Sequence, residues 1–455
     1  FQSESISMTK KYDIIILGGG NAGFGVSSVA NEANKTIAFI EERDFGGTCP
    51  NRGCTPKKVL VAAAHSLHEI EMAGVHEIEV GKAKLNWTKL IQREKDMISF
   101  IPDAMTGVAE KRGDIYRGSA KFVGPNSVEV NGEVLEADNI VIATGSKTRP
   151  LAIPGAELLI TSDDVLSDEE QPGEVIFIGG GVIAMEFSHV YARAGTKVTI
   201  LEAMPQLLPR IESGAVAAIR TESERVGITL KTNVTVKEIQ RSGDRLSVTY
   251  EHEGKEIISK ADKIINGAGR VANVDTLNLD AANVAHDKIA IKTDEFLRST
   301  TNPSVWVCGD CLVTSPQLSP IATYEGKIVG NNIVNGATQK PDYEVIPTCV
   351  YTVPALSSLG ITEKEATDQN LDVKISTSDM TGWFSSKSYA ETVAWAKVIV
   401  DAKSDKILGA HMVGHKGEEL IHLFALAMRH GITATELKED MFAYPTFSSD
   451  VKNLL

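Results

Sequence analysis

Residues 12–23 read Tyr12-Asp13-Ile14-Ile15-Ile16-Leu17-Gly18-Gly19-Gly20-Asn21-Ala22-Gly23, an apolar run that breaks abruptly into glycine. A helical stretch follows, then a second apolar run over 36–40, closed by Glu41. Strand, glycine turn, helix and strand in that order make a βαβ unit. Gly18 permits the tight turn, Gly20 lets the backbone approach a pyrophosphate, and Gly23 lets helix and strand pack closely. The free N–H groups and the dipole at the helix N-terminus favour an anion there. Glu41 is placed to accept hydrogen bonds from a ribose diol.

One glycine fingerprint alone is a weak signal, but this chain carries it twice. Residues 175–178 lead into Gly179-Gly180-Gly181-Val182-Ile183-Ala184, then a helix to about Ala194 and a strand over 198–201 ending at Glu202. Gly18 and Gly179 stand 161 positions apart, and in each copy the third small residue precedes the acid by eighteen (Gly23 to Glu41, Ala184 to Glu202). The equal spacing predicts two dinucleotide sites, with Gly179 and Gly181 repeating the roles of Gly18 and Gly20. An acid at the end of the second strand bonds the 2′-hydroxyl of NAD and repels the 2′-phosphate of NADP, so Glu202 favours NADH. Ala184 is compatible with either cofactor, which leaves NADPH open.

Shortly after the first fingerprint comes Gly46-Gly47-Thr48-Cys49-Pro50-Asn51-Arg52-Gly53-Cys54-Thr55-Pro56-Lys57-Lys58. Thiol chemistry needs thiolates, which a helix N-terminus and nearby cations favour, and Arg52, Lys57 and Lys58 supply local positive charge. Read as structure, Cys49 and Cys54 would be two small buried hydrophobes or half of a metal site. Zinc would need two more ligands at suitable spacing, for which Cys308 and Cys311 could be offered. The bulk properties narrow the field. A length of 455 residues corresponds to about three domains, and a net charge of -14 argues against nucleic acid or an anionic membrane as partner. No apolar run reaches the length of a transmembrane helix. Phe1-Gln2-Ser3 resemble an expression remnant and Met8 a native start with no signal peptide after it. A cytoplasmic, reducing location is expected, where a Cys pair is more often catalytic or metal-binding than structural.

On these residues the chain resembles the group I pyridine nucleotide-disulfide oxidoreductases, relatives of glutathione reductase, dihydrolipoamide dehydrogenase and mercuric reductase. The resemblance runs from about Lys11 to near the end. Besides the segment 46–58 it rests on Val141-Ile142-Ala143-Thr144-Gly145-Ser146, Gly267-Ala268-Gly269-Arg270, Gly309-Asp310, Ser319-Pro320-Ile321-Ala322 with Glu325-Gly326, and the stretch from Ile346-Pro347-Thr348 to Glu363. It implies an α/β chain with two Rossmann-like domains, for FAD and NAD(P), and a C-terminal α+β dimerisation domain. The implied boundaries are 8–155 and 279–340 for FAD, 156–278 for NAD(P) and 341–455 for the interface of a homodimer. Apolar runs over 393–400 and 407–413, followed by an amphipathic stretch over 418–430, fit that last domain independently.

The resemblance also assigns roles. Gly47, Thr48, Lys58, Thr144, Gly145, Asp310 and Ala322 would hold FAD, with Asp310 on its ribityl chain; Gly269 and Arg270 would close the NAD(P) domain. Cys54 would face the flavin and Cys49 would attack substrate. Lys57 would lie near flavin N5, oriented by Glu186. Electrons would pass from NAD(P)H through FAD to a Cys49–Cys54 disulfide and on to a low-molecular-weight disulfide. Cys308 and Cys311 flank Asp310 in this scheme and become packing residues, and no metal is expected.

One segment departs from the pattern. Where the family has His-Pro-Thr-x-x-Glu, this chain has Tyr444-Pro445-Thr446-Phe447-Ser448-Ser449-Asp450. A histidine ordinarily titrates near 6.5 and a tyrosine near 10, so tyrosine can donate a hydrogen bond but is a poor base. Losing general acid–base help typically removes about 10² to 10⁴ in rate. Two other expectations follow: a flavin-dependent reductase of metal ions, quinones or reactive oxidants, and a redox-sensing flavoprotein. Mercuric reductases also carry tyrosine in this region, but the 455 residues hold neither their C-terminal cysteine pair nor a metal-capture domain.

Overall fold

The computed structural model describes residues 10–287 and 290–455; Met8 and the three residues read as a remnant lie outside them. The chain divides into two compact units. One is built from the described residues up to Lys57, Lys95–Arg149 and Arg270–Asp342; the other from Lys58–Glu94, Pro150–Gly269 and Tyr343–Leu455.

The first unit is organised by the βαβ element expected at its start: strand Lys10–Leu17, helix Asn21–Glu32, strand Ile37–Glu41. The sheet order is Asp114–Arg117, Ile37–Glu41, Lys10–Leu17, Glu133–Ile142, Ser127–Val130, Lys121–Gly124, with Val305–Val307 also paired to Glu133–Ile142. Its central pairings are parallel, Ile14 to Ile37 on one side and Ile14 to Asn139 on the other. A parallel strand covered on both faces reads as continuous apolar sequence, and Ile14, Ile15 and Ile16 are each fully buried.

Helix Asn21–Glu32 packs against helix Ser319–Asn335 with backbones nearly touching. A Cβ on Gly25 would sit 2.6 Å from the Thr323 carbonyl oxygen, and one on Gly326 would sit 2.1 Å from that of Ala22. This glycine seam brings the two helix N-termini side by side.

In the second unit the repeated fingerprint gives strand Glu174–Ile178, helix Val182–Arg193 and strand Lys197–Leu201. They lie in a parallel sheet ordered Thr229–Lys231, Lys197–Leu201, Glu174–Ile178, Lys263–Asn266, followed in sequence by a three-stranded antiparallel meander over 235–261. The C-terminal part is a five-stranded antiparallel sheet containing Trp395–Asp401 and Ile407–Val413. Helix Gly417–His430 lays Leu420, Ile421, Phe424 and Ala427 into the core beside that sheet. Among the described residues no helix is long and apolar enough to cross a membrane.

Candidate active site and nucleotide cradles

The two fingerprints fold alike. Gly18 has φ +108, and a Cβ there would lie 2.3 Å from the Ala143 carbonyl oxygen; Gly179 has φ +99 and would meet the Gly267 carbonyl oxygen at 2.5 Å. Each acid closes its own loop. Glu41 Oε2 accepts from Gly19 N at 2.7 Å and its Oε1 from Arg43 N at 2.7 Å. Glu202 repeats this with Gly180 N at 2.5 Å and Met204 N at 2.7 Å. Both carboxylates therefore brace their glycine turns.

The first cradle fits a dinucleotide. A pocket at the strand end is lined by Gly18, Glu41, Ser119, Thr144 and Asn273 among others. Thr144 Oγ1 is buried there without a hydrogen-bond partner, and so is Asn51 Oδ1 in the cysteine segment. Gly47, at φ +69, comes so close to Gly20 that a Cβ would lie 2.7 Å from its Cα. Gly145 also has positive φ, +68. Asp310 takes a hydrogen bond from Ser146 Oγ at 3.1 Å, and burial raises its carboxyl above the ordinary range despite that bond and the Arg270 charge. Arg270 itself donates to Ser146 Oγ (2.8 Å) and Ser146 O (2.5 Å). The residue expected to close the second domain thus braces the acid of the first. Ala322 is buried in helix Ser319–Asn335.

Cys49 lies in the short helix Thr48–Arg52, which begins at Thr48 directly after Gly47, and Cys54 opens the long helix Cys54–Met72. Both are free thiols, Cys49 half-buried and Cys54 exposed. They share a hydrogen bond. That bond, with help from the Ser319 hydroxyl and the Lys57 charge and against the effect of burial, brings the Cys49 thiol from an ordinary 9.0 down to about 6. The same bond, with burial, pushes the Cys54 thiol well above its ordinary value. Asn21 Nδ2 donates to Ser319 Oγ, so the glycine seam links the nucleotide loop to the reactive sulfur. Neither Asn21 nor Ser319 had been assigned to the thiols. Their approach depends on two helices packing without side chains between them, which spacing along one chain does not reveal.

Elsewhere in the second unit, Glu186 is buried and accepts from Tyr351 N at 2.8 Å. Lys58 Nζ lies 3.7 Å above the Tyr351 ring. Gly269 has φ +97, and Gly181 caps helix Val182–Arg193. Tyr444 is 80% exposed. Ser449, in the place of the family glutamate, closes a local turn with Thr446. Cys308 and Cys311 are completely buried, and the Cys311 thiol donates to backbone carbonyls. Among the described residues no group of three or more His, Cys, Asp or Glu side chains is arranged to hold a metal ion.

Residues 12–326 match the pyridine nucleotide-disulphide oxidoreductase family, and residues 346–455 match its dimerisation domain. The chain belongs to this family. It is an enzyme, a flavin-dependent pyridine nucleotide-disulphide oxidoreductase that uses FAD and a pyridine nucleotide. Similar proteins include a mercuric reductase of Bacillus cereus, 31% identical over 97% of this chain and 70% of that one. A glutathione reductase of Burkholderia cepacia is 30% identical over 97% of this chain and 98% of that one. Among solved structures, the Cu(II) complex of the HOCl-induced flavoprotein disulfide reductase RclA from Escherichia coli superposes with a TM-score of 0.87. It is 26% identical, covering 98% of this chain and 99% of that one.

Proposed function

We propose that Cys49 is the attacking thiol in the reduction of a low-molecular-weight disulfide. Residues 8–155 and 279–340 hold FAD, 156–278 hold NADH, and 341–455 form the interface of a cytoplasmic homodimer. The observation that carries this reading is the asymmetric thiol pair, with Cys49 brought to about 6 while its hydrogen-bonded partner Cys54 is raised. When bound, FAD would supply the two-electron chemistry that links the pyridine nucleotide to the cysteine bridge.

The remaining steps belong to the chain. Cys49 thiolate attacks one sulfur of the acceptor disulfide, forms a mixed disulfide and releases the first thiolate. Cys54 then attacks Cys49, releases the second thiolate and closes the Cys49–Cys54 bridge, so two electrons leave for each acceptor reduced. Asp310 and Thr144 would hold the flavin nucleotide, Glu41 its ribose, and Glu202 that of NADH. Lys57 would supply positive charge near the flavin. Tyr444 donates a hydrogen bond to the departing thiolate.

The test is an acceptor screen with NADH and NADPH in parallel, run on wild type, Cys49→Ser and Tyr444→His. The reading expects disulfide turnover with NADH that is lost in Cys49→Ser and rises in Tyr444→His. Oxidation of NADH with no disulfide in a broad panel refutes it.

A second reading, reduction of metal ions, quinones or oxidants, draws on the tyrosine at position 444, since such acceptors need no proton delivered to a leaving thiolate. Full quinone turnover in a Cys49→Ser, Cys54→Ser double variant supports that reading over the first.

A further inference from the structure

Within the second unit, the segment that carries Tyr444 meets one buried imidazole, His415, at two of its residues. Gly414, His415 and Lys416 have φ of +69, +54 and +55, three successive left-handed residues of which two are not glycine. Backbone of this kind persists where surrounding contacts enforce it, and here they do. His415 N donates to Glu391 Oε1 at 2.8 Å, and its Nδ1 lies 2.9 Å from Ser386 Oγ. The ring is completely buried, and its Nε2 lies 3.0 Å from Asp450 Oδ2. The Phe447 ring meets it edge-on at 4.7 Å. Between Ala443 and Ser449 the segment bonds mainly to itself, Thr446 Oγ1 to Ala443 O and Ser449 Oγ to Thr446 O. Phe447 and Asp450 are its anchors; both reach His415, and Phe447 also meets the Tyr389 ring at 5.2 Å.

We infer that His415 is a positioning residue for disulfide reduction, holding Tyr444 at the acceptor through Phe447 and Asp450. This rests on the reading that Tyr444 serves the acceptor. Asp450, one place beyond the family's glutamate, keeps a carboxylate–imidazole pair in this region, but the imidazole comes from the loop before helix Gly417–His430. Glu391 faces the same ring from the opposite side, 3.5 Å from Nδ1. Removing the ring takes away the group that Asp450 and Phe447 pack against, while Glu391 Oε1 keeps its bond to the backbone N–H at 415.

The experiment is a double-mutant cycle on the holoenzyme, measuring disulfide-dependent kcat, NADH-driven flavin reduction and backbone hydrogen exchange over 443–450. His415→Leu is expected to lower kcat about tenfold or more, as rates fall steeply with ångström-scale misplacement. It is also expected to speed exchange in the segment and to leave flavin reduction unchanged. In a Tyr444→Phe background the same change is expected to cost nothing further. Equal loss in both backgrounds, or unchanged exchange over 443–450, overturns the inference. Asp450→Asn carries the same cycle if the leucine variant does not fold. A Tyr444→Phe enzyme as fast as wild type sinks the reading of Tyr444 and this inference with it. A slow Tyr444→Phe enzyme with an additive His415 effect sinks the inference alone.

Discussion

The Cys49 thiol offers the sharpest test of how the site works. Its hydrogen bond with Cys54, supported by Ser319 and Lys57, brings it from 9.0 to about 6. At pH 7 that change raises the thiolate fraction from about 1% to about 90%, a gain of roughly 90-fold. Intrinsic nucleophilicity falls with pKa at a Brønsted slope of about 0.4–0.5, so three units give back roughly 20-fold. The net advantage at pH 7 is therefore only about fourfold. At pH 5 the fractions are about 9% and about 0.01%, and the net advantage grows to roughly 40-fold. Acidic pH is thus where the arrangement matters.

The assay is the rate of Cys49 alkylation by iodoacetamide in the reduced enzyme as a function of pH, read by peptide mass spectrometry. The rate should inflect near 6 in wild type. In Cys54→Ala it should inflect closer to the ordinary thiol value, and in Ser319→Ala it should move the same way by less. A wild-type inflection above 8, or one that ignores loss of Cys54, refutes the account.

Gly18→Ala should yield protein without the flavin absorption band, because the new Cβ meets the Ala143 carbonyl oxygen at 2.3 Å in a backbone conformation that disfavours any side chain. Gly179→Ala should keep that band but raise KM for the pyridine nucleotide, a contrast that visible spectra and steady-state kinetics settle together. Glu222 is 1% exposed and pairs with Arg193 and Arg225, each at 2.7 Å. Glu71 also pairs with both guanidinium groups, so Glu222→Gln should cost only about 1.5–3 kcal/mol, the worth of a charge-assisted hydrogen bond, measured by denaturant unfolding. Burial pushes the Glu222 carboxyl up, but Arg225 and Arg193 hold it below its ordinary 4.5. A depressed folded pKa gives stability that is present above 4.5 and lost as pH falls below it. Wild type should therefore lose more stability than Glu222→Gln on acidification through that range.

The nucleotide folds were legible because glycine, strand and acid recur at fixed intervals. Local sequence alone encodes that pattern, and the structure puts Gly18 and Gly179 in tight turns after the first strands and Glu41 and Glu202 at the ends of the second. The cysteine segment was legible for the same reason. Contacts between distant segments were not. Arg270 reaches Ser146 across 124 positions, and Asn21 reaches Ser319 across 298, distances at which a hydrogen bond leaves no periodic trace. Asp450 shows the limit most clearly. Sequence spacing treats it as a glutamate one place late, whereas packing gives it to His415.

The paired carboxylate latches bear on attempts to redesign this enzyme. Because Glu202 already fastens the glycine turn at Gly180 and its own loop at Met204, that turn is set before any cofactor arrives, and docking need not first organise it. Replacing that acid would strip two amide hydrogens of their acceptor and loosen the glycine turn. Any redesign of this position calls for a substitute that rebuilds the brace, such as a neutral side chain whose oxygen still reaches Gly180.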